Sequence, residues 1–305
     1  MRKEDISSAV HGFSGTYFPT DEPSSRAMIS LMGLSGSMAD FIAKGTAAWL
    51  NGFGINALQL KIEGNGLCSF PLETFRCIFN FLQSRGCTKI GVIGMSTGGM
   101  MALAAASHFQ EISLTIALTP SDFVMEGFIH DGKDGCRERP AGASSLSYEG
   151  KPLPYLPYAL RHPDYWNNMV AEAKEGGNIL ASRAMFDKSE ELHPLEEDEF
   201  IPVENIAGKL FLIGAEDDAL WDTARYIKRM KSRLAASGKD ADAGILIYEH
   251  GTHAVLPQSL VRKILPAGSS LFLKMAFRQE RKHHRECLKA RKEIDESLSE
   301  YLKTW

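Results

Sequence analysis

An α/β fold, with a mostly parallel sheet covered by helices on both faces, is what this sequence predicts, and three observations carry the prediction. Apolar runs short enough to be strands alternate with segments of helical periodicity over residues 27–118 and again over residues 210–248. The connections between them are short, as parallel strands joined by crossover helices require. The stretch 89–107, KIGVIGMSTGGMMALAAAS, passes from an apolar run through Gly94-Met95-Ser96-Thr97-Gly98 into uncharged helix formers, and so reads as strand, sharp turn and helix.

Taken in order, residues 1–26 are polar, with one expected edge strand around residues 16–18. Residues 27–34 (AMISLMGL) read as a buried strand ending in a glycine and serine turn, followed by a helix over residues 40–50. Gly52 and Gly54 supply the helix C-cap, and residues 55–60 form the next strand. Pro71 is expected to open a helix whose apolar face carries Leu72, Phe75, Ile78, Phe79 and Leu82. After the strand, turn and helix of residues 89–107, residues 112–118 are another strand. Residues 121–207 are rich in proline and poor in strand pattern, and contain the segment KPLPYLPY at 151–158. They read as a lid inserted over the ligand edge of the sheet, within a single domain spanning residues 1–305. Strands over 210–214 and 244–248, with a helix over 222–235 between them, resume the sheet, and residues 269–305 read as a long helical stretch.

Composition narrows the function classes. Hydrophobic residues at 44% and charged residues at 24% describe an ordinary globular chain able to bury a large core. A net charge of −4 gives no general reason to expect nucleic acid or an anionic membrane as partner. Residues 90–110 are free of charge, but their glycines, serines, Thr97 and His108 argue for a buried strand and helix instead of a membrane span. Residues 1–10 lack the pattern of a secretory signal, so a cytoplasmic protein is expected. The five cysteines are odd in number and show neither a CxxC pair nor a ligand spacing, so reduced thiols and no metal or cofactor are expected.

The turn at Ser96 has the form of a nucleophile elbow, in which the positions two before and two after must be small because strand and helix run close together. A serine hydroxyl attacks nothing at neutral pH without a base, and the base needs an orienting acid. Two later loops supply candidates: Glu216-Asp217-Asp218 after strand 210–214, and His250-Gly251-Thr252-His253 after strand 244–248. The order Ser, acid, His, each at a strand's C-terminal end, is that of the α/β-hydrolase fold. His253 is preferred over His250 because it lies further past the strand, behind Gly251-Thr252. Asp218 is preferred over Asp217 and Glu216 on the same ground, though the chemistry would accept any of the three. The N–H groups of Thr97 and of Leu34, with Ser35 as alternative to Leu34, are the expected oxyanion donors. Tyr155 and Tyr158, stiffened by neighbouring prolines, are the expected substrate-binding residues in the lid.

The elbow sequence IGVIGMSTGGMMALAAA, the upstream PLETFRCIFNFL, the lid segment YEGKPLPYLPY, IPVENIAGKLFLIGAEDDALW and the loop YEHGTHAVLP together resemble one family from about residue 27 onwards. This is the C-terminal catalytic domain shared by type I acyl-CoA thioesterases and bile acid-CoA:amino acid N-acyltransferases. The resemblance implies Ser96 as nucleophile, His253 as base and Asp218 as acid, and a small acyl thioester or ester as substrate. It also implies cationic partners for CoA phosphates, for which Arg137, Arg139 and Arg161, or Arg278, Arg281 and Lys282, are available. Members of the family usually have an N-terminal β-sandwich domain and commonly a basic residue after the nucleophile, where this chain has Thr97. Amine-conjugating members carry Cys at the position of Ser96, so the serine tilts the expected outcome toward hydrolysis, with acyl transfer to an amine as the alternative.

Overall fold

The computed structural model describes residues 2–33 and 39–305. Its core is an eight-stranded sheet of β1 (Glu4–Ile6), β2 (Ser14–Phe18), β3 (Arg26–Leu31), β4 (Asn56–Lys61), β5 (Lys89–Met95), β6 (Ile112–Leu118), β7 (Lys209–Ala215) and β8 (Ala243–Tyr248). The strand order is β1-β2-β4-β3-β5-β6-β7-β8. From β4 to β8 every pairing is parallel, in registers such as Ile29 with Leu58 and with Val92, while β1 and β2 add an antiparallel edge.

Two cores follow from the period-two alternation of the strands, whose successive side chains face opposite sides. On β3, Ala27, Ile29 and Leu31 join Ile90 and Val92 of β5 and Leu210 and Leu212 of β7 under helices α2 (Thr74–Ser84), α3 (Thr97–His108) and α4 (Thr223–Ala236). Met28 and Met32, with Ile93, Phe211 and Ile213, pack on the other face. There they meet α1 (Ala39–Asn51), α5 (Gln258–Ile264) and α6 (His284–Thr304), whose Ile294, Leu298 and Leu302 recur every four residues. Strands buried on both faces need continuous apolar runs, which is what residues 90–93 and 210–213 provide. This is the α/β-hydrolase arrangement, and it brings the C-terminal ends of β3, β5, β7 and β8 to one edge of the sheet.

Several local expectations need correction. The first 26 residues hold the edge strand β1 and a short helix, Ser8–His11, besides β2. Pro71 does not open α2, which begins at Thr74; it lies in the short strand Phe70–Pro71, paired with Leu146–Tyr148 at an edge where its missing N–H costs nothing. Residues 121–207 are richer in strand than their composition implies. Glu126–Ile129 and Arg139–Ser144 form one small sheet with Gly66–Leu67, and Leu146–Tyr148 joins Phe70–Pro71 and Lys151–Pro152 in another. The C-terminal stretch is three helices, Ser269–Ala276, Arg278–Lys282 and α6, interrupted by Phe277 at φ −131° and His283 at φ −120°. Those breaks turn Glu280 inward, where its carboxylate accepts from both terminal guanidinium nitrogens of the buried Arg291, at 2.7 and 2.8 Å. All five cysteines are free thiols, and Cys87, Cys136 and Cys287 are buried.

Candidate active site

The turn between β5 and α3 shows why its glycines are glycines. Ser96 sits at φ 63°, ψ −129°, a conformation costing an L-residue about 1–3 kcal/mol. A Cβ on Gly94 would fall 2.0 Å from the carbonyl oxygen of Gly98, and one on Gly98 would fall 1.9 Å from that of Leu31. The backbone of Ser96 is held on both sides, its N–H donating to Leu118 at 2.8 Å and its carbonyl accepting from Gly99 at 2.8 Å and Met100 at 3.1 Å. Thr97 is the first residue of α3, so its N–H has no acceptor within the helix and is available to an oxygen outside it.

Beyond β7 and β8 two of the three candidate acids, Asp217 and Asp218, form separate pairs with the two candidate histidines, while Glu216 meets Lys228. His253 turns Nδ1 to Asp218, 3.0 Å from Oδ1 and 2.9 Å from Oδ2, and both residues are buried. Facing a carboxylate, Nδ1 carries the proton, which leaves the lone pair on Nε2. That Nε2 is buried and has no hydrogen-bond partner among the described residues. Asp218 also accepts from the Leu220 N–H at 2.9 Å and the Thr223 hydroxyl at 2.5 Å. The indole of Trp221 lies edge-on to the His253 ring, 5.0 Å between centroids, and donates to the Thr119 carbonyl. Arg183, reaching in from the 121–207 segment, donates to the carbonyls of Glu216 and Asp218 and so fixes the acid loop. Asp217 instead meets His250 Nδ1 at 3.2 Å and the N–H groups of Gly251 and Thr252. Thr223 and Arg183 escape sequence reasoning because no motif marks them, Thr223 reading only as the start of a helix, whereas Trp221 closes the segment GAEDDALW that carries the resemblance.

Ser96, Thr97 and His253 border one cavity of about 310 Å³, whose other walls include Leu31, Ile42, Ile62, Leu67, Phe128, Leu180 and Leu220. The cavity thus joins the elbow and the histidine loop, and its surface is largely apolar. His250, Asp217 and Glu216 are not among its lining residues. Neither are Tyr155 and Tyr158: the 121–207 segment reaches the cavity through Phe128 and Leu180 instead. Tyr158 is buried in a core of its own, stacked on Tyr165 with centroids 5.2 Å apart and edge-on to Phe186. Tyr155 packs against the main core and points its hydroxyl toward the Gly142 carbonyl at 3.4 Å. Leu34 and Ser35, expected as alternative second oxyanion donors, lie outside the described residues. Of the arginines considered for CoA phosphates, Arg139 is paired with Asp131, Arg161 with Glu126, and Arg281 with the carbonyls of Gly177 and Lys274. Among the described residues no cluster of His, Cys, Asp and Glu is arranged to hold a metal.

The model of the BAAT / acyl-CoA thioester hydrolase C-terminal family matches residues 70–259, a span that includes the elbow, the acid loop and the histidine loop. The chain belongs to this family. The matched span starts later than the expected onset near residue 27 and stops short of the last helices. BAAT / acyl-CoA thioester hydrolase C-terminal relatives of this chain include the mitochondrial acyl-coenzyme A thioesterase 2 of Mus musculus, 27% identical over 250 residues, or 79% of this chain and 47% of the relative. The Mus musculus acyl-coenzyme A amino acid N-acyltransferase 1 is 25% identical over 236 residues, covering 75% of this chain and 48% of the relative. The chain therefore spans about half the length of the curated relatives it matches. Among solved structures, that of DphMB1 superposes with a TM-score of 0.52 at 14% identity, over 90% of this chain and 83% of the other, a likeness of fold. Among the described residues no helix is long and apolar enough to cross a membrane.

Proposed function

We propose that this protein is a serine hydrolase that cleaves an acyl-CoA or related acyl thioester through an acyl-enzyme on Ser96. The observation that carries the reading is His253, held through Nδ1 by Asp218, with its unpartnered Nε2 on the same cavity as Ser96. In this mechanism Nε2 takes the Ser96 proton as Oγ attacks the thioester carbonyl carbon, and Asp218 stabilises the resulting imidazolium. The Thr97 N–H receives the oxyanion that develops. Collapse of the tetrahedral species breaks the C–S bond, and His253 returns the proton to the departing thiolate. A water then repeats the sequence, with His253 as base, to release the acid. The apolar walls suit the acyl chain, and reduced thiols accord with a cytoplasmic setting.

The family of names among the relatives includes an amino acid N-acyltransferase, so an amine in place of that water is the second reading. The residue type at position 96 favours water, because an oxygen ester is less open to aminolysis than a thioester formed on Cys. The test is a hydrolysis screen over acyl-CoAs and p-nitrophenyl esters with Ser96→Ala, His253→Ala and Asp218→Asn variants. Losses in kcat of about 10⁴ to 10⁶ are expected for the first two and a milder one for the third. Full activity in Ser96→Ala would sink the reading.

A further inference from the structure

We propose that Asp217 is a positioning residue for the reaction, fixing the backbone that presents His253 while its neighbour Asp218 fixes the ring. The inference rests on the reading of His253 as the base. Its ground is a convergence of three donors on one carboxylate. Asp217 Oδ1 accepts the N–H of Gly251 at 3.0 Å and of Thr252 at 2.7 Å, and Oδ2 meets His250 Nδ1 at 3.2 Å. The side chain is 7% exposed. All three donors lie in the three residues that precede His253.

The loop needs such a clamp. Thr252, a β-branched residue, is held at φ 59°, in the left-handed region such residues avoid, and it is buried. Gly251 has no room for a side chain, since a Cβ there would fall 2.4 Å from Val255 Cγ1 and 3.1 Å from Ala215 Cβ. A segment forced into this conformation reverts unless something outside it pins its amides, and Asp217 does so from the end of β7. His250 is pinned a second time by His283, whose ring stacks on it with centroids 3.6 Å apart and planes 13° from parallel. Two consecutive residues of one strand end thus divide the work: one carboxylate orients an imidazole and the other holds the peptide groups that set where that imidazole starts.

The experiment compares wild type with Asp217→Ala, Asp217→Asn and Asp217→Glu in the full chain, using an ester or acyl-CoA that the wild type hydrolyses. Asp217→Ala is expected to lower kcat about 10- to 100-fold with KM within about threefold, since a shift of about 1 Å in a reacting group carries that penalty. The acidic limb of its kcat profile should move to lower pH, because a displaced ring gains less from Asp218 when protonated. Hydrogen exchange at the amides of Gly251 and Thr252 should accelerate. Asp217→Asn, whose amide oxygen accepts the same two N–H groups, should restore most of the activity. If Asp217→Ala does not fold, Asp217→Glu carries the test, as its longer chain keeps the acceptors but displaces the loop, with the same loss in kcat and the same pH shift. Unchanged exchange at the two amides in Asp217→Ala would overturn the inference, as would wild-type kcat in Asp217→Ala or Asp217→Glu, or an Asp217→Asn as impaired as the alanine variant. Failure of the Ser96 reading is seen separately, as full activity in Ser96→Ala, and leaves the exchange measurement to decide whether Asp217 holds the loop.

Discussion

Asp218 is a buried carboxylate that depends on donors from its own loop, and the strongest of these by distance is the Thr223 hydroxyl at 2.5 Å. Thr223→Val keeps the shape and removes one of the two donors to Asp218 Oδ2, leaving it His253 Nδ1–H alone, at a cost of about 1–3 kcal/mol. The expected outcome is a loss of about three- to tenfold in kcat with KM nearly unchanged, measured on the best substrate from the hydrolysis screen. Chemistry at position 96 gives a second outcome: Ser96→Cys, given an acyl-CoA with glycine or taurine, should form more amide relative to free acid than wild type, as resolved by mass spectrometry. Predominant amide from the wild type would overturn hydrolysis as the activity. At this scale the sequence was legible in kind but not in detail. Its motif singled out Ser96, chain order singled out the two loops, and distance past the strand end ranked His253 above His250 and Asp218 above Asp217, although the chemistry would accept any of the acids. Which carboxylate meets which imidazole is decided when β7 and β8 lie side by side and the loops meet, which is a tertiary fact.

The strands β3 to β8 of the main sheet were legible because each reads as an apolar run, whereas the edge strand β1, Glu-Asp-Ile, carries no such run. Boundaries then shifted by one to three residues, as at β3, expected over 27–34 and found as Arg26–Leu31. The small strands of the 121–207 segment were not legible, since they pair with Gly66–Leu67 and Phe70–Pro71, partners far away in sequence and too short to carry a pattern. The same reasoning explains Tyr158: an aromatic beside prolines looks like a pocket wall until Tyr165, on the helix Asp164–Gly176 that follows it, and Phe186, on the helix Arg183–Leu192, cover it. The prediction proper to this scale concerns the crossing of β3, β5 and α3. Gly98→Ala forces a methyl group against the Leu31 carbonyl oxygen, a backbone atom that cannot swing away. Destabilisation of about 3 kcal/mol or more is expected by urea denaturation, with loss of reactivity toward a fluorophosphonate probe even where the variant is still folded.

Across the whole molecule, acid stability should report a pair that does not line the cavity. Burial on its own pushes the Glu280 carboxyl up, but hydrogen bonds and charge from Arg291, assisted by His284, outweigh it and hold the group below its ordinary 4.5. On acidification the unfolded chain therefore takes up this proton before the folded one does. The stabilisation is complete above the ordinary value and disappears as pH falls through the folded one. Asp122 works in the opposite sense: burial raises it to about 6 despite its paired Arg229, so its contribution grows as pH falls from about 6 toward 3.8. Glu280→Gln is expected to cost about 3–5 kcal/mol at pH 7 by leaving the Arg291 charge buried and unpaired, and to flatten the loss of stability below the ordinary carboxylate range. Replacing both residues by apolar ones should cost less than the sum of the single changes, as a double-mutant cycle would measure. The cavity itself has another kind of consequence at this scale. Ser96, Thr97 and His253 stand on turns of the sheet, whereas Phe128 and Leu180 come from the segment between β6 and β7. On the proposed reading the reacting groups and these two walls are thus written in separate stretches of the gene, so that after a duplication one copy can change the intervening stretch and reshape part of the cavity while the groups proposed to break the bond stay as they are.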